Sequence, residues 1–109
     1  MIPKRKLNTN MKLIWSGNLY VTNSFQSLDE KLEKNKLYIF VVRSLSNTYV
    51  EFIPYIYGSN NSFQHSYYDG KTVVRWRIDI NSKGTDFQLS DGCLNMSNTT
   101  GVLAVYRVD

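Results

Sequence analysis

The sequence holds little of what most catalytic and covalent chemistry needs. It has one cysteine, Cys93, and one histidine, His65. A lone cysteine excludes an internal disulfide, and no Cys/His spacing suggests zinc, so stability must come from packing; neither a metal nor a cofactor is expected. Cys93 has no adjacent cationic residue to activate its thiol and reads as a small core residue. There is no Gly-x-Ser-x-Gly elbow, no His-Glu-x-x-His pair and no glycine-rich phosphate loop. His65 lies in a polar stretch without a nearby nucleophile and reads as an ordinary loop histidine. Among the carboxylates, Asp69 and Asp91 each precede a glycine, where a turn explains them. Asp79 and Asp86 carry no further sign of the paired arrangement that glycoside cleavage uses. No catalytic residue is therefore expected, and the chain is read as a non-enzyme.

Long apolar runs are missing too. None approaches the roughly 18 to 20 residues that cross a bilayer, so no membrane span is expected. The opening Met1-Ile2-Pro3-Lys4-Arg5-Lys6 carries charge with no apolar stretch behind it, unlike a secretory signal, so the expectation is a chain made and folded in a cytoplasm. There are only two prolines, six glycines and no internal repeat. A length of 109 residues without a break in composition fits one domain. Residues 1–11 are expected to form a flexible basic tail and residues 12–109 a single domain.

What the chain does have is alternation. From Thr72 to Asn81, Thr72, Val74, Trp76, Ile78 and Ile80 alternate with Val73, Arg75, Arg77, Asp79 and Asn81, the mark of a half-buried antiparallel strand. Lys36–Ser44 is apolar on both faces and rich in β-branched and aromatic residues, which predicts a central strand. Thr48–Tyr57 reads as another strand, with Tyr49, Glu51, Ile53, Tyr55 and Tyr57 on one face and Val50, Phe52 and Ile56 on the other. Pro54 lacks a backbone donor and places that strand at a sheet edge or at a bulge. Lys12–Trp15 and Leu19–Phe25 read as strands joined by a bend at Ser16-Gly17. Gly101–Val108 closes the chain, and Phe87–Leu89 and Cys93–Met96 are shorter candidates. Ser27-Leu28-Asp29-Glu30 matches a capping box, so residues 28–34 read either as a short helix or as a charged loop.

Together these signals predict an all-β antiparallel sandwich, jelly-roll-like, with at most one short helix. Trp15, Leu19, Val21, Phe40, Val42, Val50, Phe52, Trp76, Ile78, Ile80, Leu103 and Val105 are its expected core. The candidate binding surface is a Tyr- and Asn-rich loop that combines Tyr55, Tyr57, Phe63, Tyr67 and Tyr68 with Asn60, Asn61, Ser62, Gln64, His65 and Asp69. Aromatic rings offer flat apolar area and amides offer paired donors and acceptors, a set that suits sugars. Lys71, Arg75, Arg77 and Lys83 form a candidate basic patch, which opens the weaker expectation of a nucleic-acid platform. The excess of 13 Lys and Arg over 9 Asp and Glu is compatible with an acidic partner in general.

One resemblance adds to this reading. Leu13-Ile14-Trp15-Ser16-Gly17-Asn18-Leu19-Tyr20, followed by Phe25-Gln26-Ser27-Leu28 and then Leu37-Tyr38-Ile39-Phe40-Val41-Val42, resembles the opening of small modules at the C-terminal tips of tail-fibre and receptor-binding proteins in phages of Gram-positive bacteria. Gly101–Val108 resembles their closing strand, and the similarity spans Lys12 to Asp109. It departs in the charged stretch Asp29 to Lys36, which is more helix-like than the family's turn. The resemblance implies a virion component of tail or baseplate that binds host surface polysaccharide or another virion protein, and it implies homo-oligomers, with trimers favoured. The alternative is a small phage-encoded inhibitor of a host enzyme or defence complex, acting at a nucleic-acid site.

Overall fold

The computed structural model describes residues 10–20, 24–44, 49–58, 60–68, 73–91 and 101–109. These residues form eight strands and no helix: β1 (Met11–Tyr20), β2 (Gln26–Ser27), β3 (Leu37–Ser44), β4 (Tyr49–Ile56), β5 (Ser62–Tyr68), β6 (Val73–Ile80), β7 (Asp86–Asp91) and β8 (Gly101–Val108). Sheet A runs β1-β8-β3-β4 and sheet B runs β2-β7-β6-β5, with every pairing antiparallel. The expected all-β sandwich is the observed architecture. The first and last strands pair with each other, as do β2 and β7, while β3–β4 and β5–β6 are hairpins of neighbours in sequence.

The core lies between the sheets, where Ile14, Phe40, Val42, Val102 and Val105 of sheet A meet Trp76, Ile78, Phe87 and Leu89 of sheet B. The rings set the packing. Phe40 meets Phe63, Phe87 and Tyr55 edge-on at centroid distances of 5.1, 5.9 and 6.2 Å, and Trp15 meets Phe87 at 4.9 Å. Such edge-to-face contacts bring the positive ring edge to the negative ring face.

Two irregularities let the apolar side chains reach this core. β1 slips register against β8 around Ile14 and again between Ser16 and Leu19. At the second slip the indole of Trp15 lies over Gly17, where a Cβ would come within 2.9 Å of the ring and push it aside. β8 bulges opposite Val41/Val42, so Val102 and Val105 are both buried although an unbroken alternation would put them on opposite faces.

Residues 28–36 settle as a loop, not a helix. Their amides donate across the sandwich: Leu28 to the Thr85 carbonyl at 2.9 Å, Asp29 to Ile14 at 2.8 Å and Leu32 to Gly84 at 2.8 Å. Donors spent on other strands cannot form intrahelical bonds, and this arrangement buries Leu28 and Leu32, whose spacing resembled a helix face. The loop turns at Asn35, whose φ of 67° asparagine tolerates, and its amide donates to Tyr57 at 2.6 Å. Charges clasp it to the strands. Lys12 Nζ lies 2.9 Å from Glu30 Oε2, Arg107 binds the other oxygen of Glu30, and Arg107 also holds Asp109 at 2.8 Å. Contact with Lys12, joined by Arg107, holds the Glu30 carboxyl below its usual range.

The expectations for β3, β4 and β6 hold. β3 is central, between β8 and β4, and β4 with Pro54 is a sheet edge. Trp76, Ile78 and Ile80 are buried while Arg75 and Arg77 are exposed. β1 begins at Met11, inside the stretch assigned to a tail, and residues 1–9 lie outside the described residues. So do Val21, Cys93–Met96, Asp69 and Lys71.

Candidate functional site

Directly opposed residues of an antiparallel ladder share a face, so the registers assign each side of the sandwich its chemistry. On the outer side of sheet B, Ser62 opposes Asp79, Gln64 opposes Arg77 and Ser66 opposes Arg75, while across the next ladder Gln88 opposes Asp79 and Ser90 opposes Arg77. Asp79 organises this face. Its Oδ1 lies 2.8 Å from Arg77 Nε, and its Oδ2 accepts from Ser90 Oγ at 3.0 Å, Gln88 Nε2 at 3.2 Å and Arg77 Nη2 at 3.3 Å. A carboxylate shared by three side chains fixes their rotamers and leaves the neighbouring amides and hydroxyls displayed.

Two shallow hollows adjoin at Gln64. One, of about 320 Å³, is lined by Gln64, His65, Ser66 and Arg75. The other, of about 420 Å³, is lined by Asn60, Ser62, Phe63, Gln64 and Arg77. Amide, hydroxyl and guanidinium groups with one aromatic ring beside them can bind a polyhydroxylated or acidic ligand. Among the described residues no group of three or more His, Cys, Asp or Glu side chains is placed to hold a metal ion.

Three aromatic residues expected at the binding surface belong elsewhere. Tyr55 and Tyr57 are buried, 8% and 6% exposed, and Phe63 stacks on Tyr55 at 4.4 Å against Phe40 and Trp76. The face of β4 that carries the tyrosines is its inner face. Each phenol finds a place there: Tyr55 donates to the Asn60 carbonyl at 2.5 Å, and Tyr57 packs under Gly84. Burial, with Tyr57 nearby, pushes the Tyr55 hydroxyl up to about 12. His65 also points inward from β5, with its Nε2 2.9 Å from Glu51 Oε2 and its ring 5.5 Å from that of Trp76, so it joins the edges of the two sheets.

The remaining candidates divide. Asn60, Asn61, Gln64, Arg75 and Arg77 are exposed on or beside the outer side of sheet B. Tyr67 and Tyr68 lie on β5, with their side chains outside the described residues, as are Asp69 and Lys71. Lys83 does not join the arginines. It lines a separate hollow of about 580 Å³ with Lys31, Lys34 and Tyr57 at the end of the sandwich. Ser62 was part of the expected surface, whereas Ser66, Gln88 and Ser90 were not anticipated as site residues. Alternation already placed Asp79 on the face of the two arginines, but its partners from β7 depend on a register set by the turn at residues 81–85.

The outer side of sheet A is the opposite in character. Here Met11 and Leu13 lie beside Val108 and Tyr106, these beside Leu37 and Ile39, and the last two beside Ile56 and Pro54; Val41 follows, opposite Phe52 and Ala104. Val50 and Phe52, expected in the core, are on this outer side, and Phe52 and Ile56 are 64% and 63% exposed. The tyrosines of β4 occupy the inner face, so its aliphatic and phenylalanine side chains must face out. Arg43 is the one described charged residue in register with this face, and it is only 5% exposed, donating to Asn18 Oδ1 from Nε at 3.1 Å and from Nη2 at 3.0 Å.

A scan against protein-family models finds no match, and a search of curated proteins finds none. The described residues contain no helix long and apolar enough to cross a membrane.

Proposed function

We propose that this chain is a non-catalytic binding module of a phage tail or baseplate, and that the outer side of sheet B is its contact surface for host surface polysaccharide. The observation that supports this reading is the pair of hollows that adjoin at Gln64, one lined by Asn60, Ser62, Phe63 and Arg77 and the other by His65, Ser66 and Arg75. Sugar hydroxyls pair with amides and side-chain hydroxyls, and acidic wall polymers add charge for the guanidinium groups. The virion assignment rests on the resemblance of the β1, β3 and β8 sequences to fibre-tip modules. The catalytic reading has less support, since His65 is engaged with Glu51.

Isothermal titration of purified wall polysaccharide into the full chain tests the contact surface. Gln64→Ala and Arg77→Ala should each weaken binding by about tenfold, roughly one hydrogen-bonded contact, with thermal stability nearly unchanged. No binding by the wild type, or binding untouched by both changes, would defeat the assignment. Mass spectrometry of purified particles tests the location separately, because a virion component is present in them in many copies and an intracellular inhibitor is missing.

A further inference from the structure

The polar hollows use only one side of the sandwich. On the other side, Met11, Leu13, Val50, Phe52 and Ile56 are 45 to 64% exposed on strands whose other described outward register positions are mostly apolar, Ser16, Arg43 and Tyr106 being the polar ones. Four strands about 4.8 Å apart and eight residues long at about 3.3 Å each give this face a footprint of roughly 500 Å² before its corrugation is counted. That is at the upper end of apolar patches on monomeric proteins. Two such faces together would bury about 1,000 Å² or more, the lower bound for a specific interface.

The charges point to what covers it. A chain of net charge +4 repels its own copies wherever its cations face one another. On sheet A, however, Lys12 and Arg107 engage Glu30 at the sandwich end, Glu51 engages His65, and Arg43 is folded against Asn18. A partner with a charged surface would lose hydration here and find no counter-charge. An identical neutral face loses nothing of that kind.

We propose that the outer face of sheet A is a homotypic interface, on which a second copy of this chain packs face to face about a two-fold axis. Residue by residue the surface is then its own complement, with two sheets stacked about 10 Å apart as in a sandwich core. A single flat face is used up by one partner, so the assembly is a dimer and not the trimer that the resemblance implies. The polar sides of the two copies are left facing outward.

Sedimentation equilibrium of the full chain, from low micromolar to millimolar concentration, should give the mass of two chains. Phe52→Glu and Ile56→Glu should each raise the dissociation constant about 100-fold or more, because each buries a carboxylate against apolar side chains. Both residues are solvent-exposed in the single chain, so far-ultraviolet circular dichroism of the monomeric variants should be unchanged. Gln64→Ala, on the other side, should leave the dimer intact. A wild type that stays monomeric at millimolar concentration overturns the proposal. So does a trimer, or a dimer that survives Phe52→Glu and Ile56→Glu together. None of these outcomes depends on whether the chain binds polysaccharide.

Discussion

The outer sides of the two sheets begin from the same rule and end in opposite chemistry. Both β4 and β6 alternate, and both send one set of side chains into the core. In β6 the outward set is Arg75, Arg77 and Asp79, so water solvates it and Asp79 ties it together. In β4 the outward set is Val50, Phe52, Pro54 and Ile56, while the inward set holds Glu51, Tyr55 and Tyr57. The difference teaches that the more polar half of an alternating strand need not face water. A tyrosine is content inside when its hydroxyl has a partner, and an apolar ring is left outside when the inner face is already filled.

The largest expected effect separates inside from outside on neighbouring strands. Phe40→Ala empties a core position surrounded by Tyr55, Phe63 and Phe87, and should cost about 3 to 5 kcal/mol in urea denaturation. Phe52→Ala, measured dilute enough to keep the chain monomeric, should change stability by less than about 0.5 kcal/mol. Comparable losses at the two positions would erase the distinction between the inner and outer faces of sheet A.

A smaller effect bears on the register that assembles the polar side. Gly84 has φ of 74°, and a Cβ there would lie 3.0 Å from the Tyr57 hydroxyl and 3.4 Å from the Leu32 carbonyl. Gly84→Ala should therefore cost about 2 kcal/mol by strain alone and loosen the turn in which Asn81 Oδ1 accepts from the Thr85 and Asp86 amides at 2.8 and 3.1 Å. Thermal denaturation checks it, and an unchanged midpoint would mean that the turn does not set the pairing of β6 with β7.

Alkaline titration tests where the tyrosines of β4 reside. Tyr55 keeps its proton to about 12 in the folded chain, against about 10 in an unfolded one. Between those values the folded state binds the additional proton. Its contribution is thus fully present below about pH 10 and is lost as pH rises through about 12. Tyr55→Phe should remove this limb of the stability profile and cost about 1 kcal/mol at neutral pH for the lost bond to Asn60. A tyrosine facing solvent would show neither effect.

The smallest effect concerns the charges that leave the outer side of sheet A neutral. The Glu30 carboxyl is lowered, so its contribution is present above the ordinary carboxylate range and is lost as pH falls through the lowered value. Glu30→Gln should flatten the acid limb of a stability profile, more at low than at high ionic strength. An acid limb identical to that of the wild type would detach Lys12 and Arg107 from this role.

Much of the fold could be read from residue order alone, because a period of two states which residues share a face. That is why β3 was legible as central, β4 as an edge through Pro54, and β6 as half-buried with Arg75 and Arg77 outside. Alternation does not say which face is inside when both faces carry apolar groups. In β4 only the position of Tyr55 opposite Tyr38, and of Phe63 stacked upon it, decides the matter. The bulge in β8 hid Val102 in the same way: Val105 is in the core as expected, but one extra residue reverses the faces before it, so Val102 is buried where Leu103 was expected. Leu28 and Leu32 carried a helix-like spacing, but their amides found carbonyls on Thr85 and Gly84 that no local pattern could show. Sequence by itself thus determined most of the strands and a fold held by packing without disulfides, because side-chain periodicity and cysteine count are local properties; Ser62–Tyr68, read as a loop around His65, is instead β5, whose polar residues carry no clear alternation and pair with β6. Tertiary structure alone decided that Asp79 gathers Gln88 and Ser90, that two tyrosines belong to the core and that one sheet turns an apolar face outward. Each of these follows from which strands lie opposite one another, and that pairing depends on contacts between residues far apart in the chain.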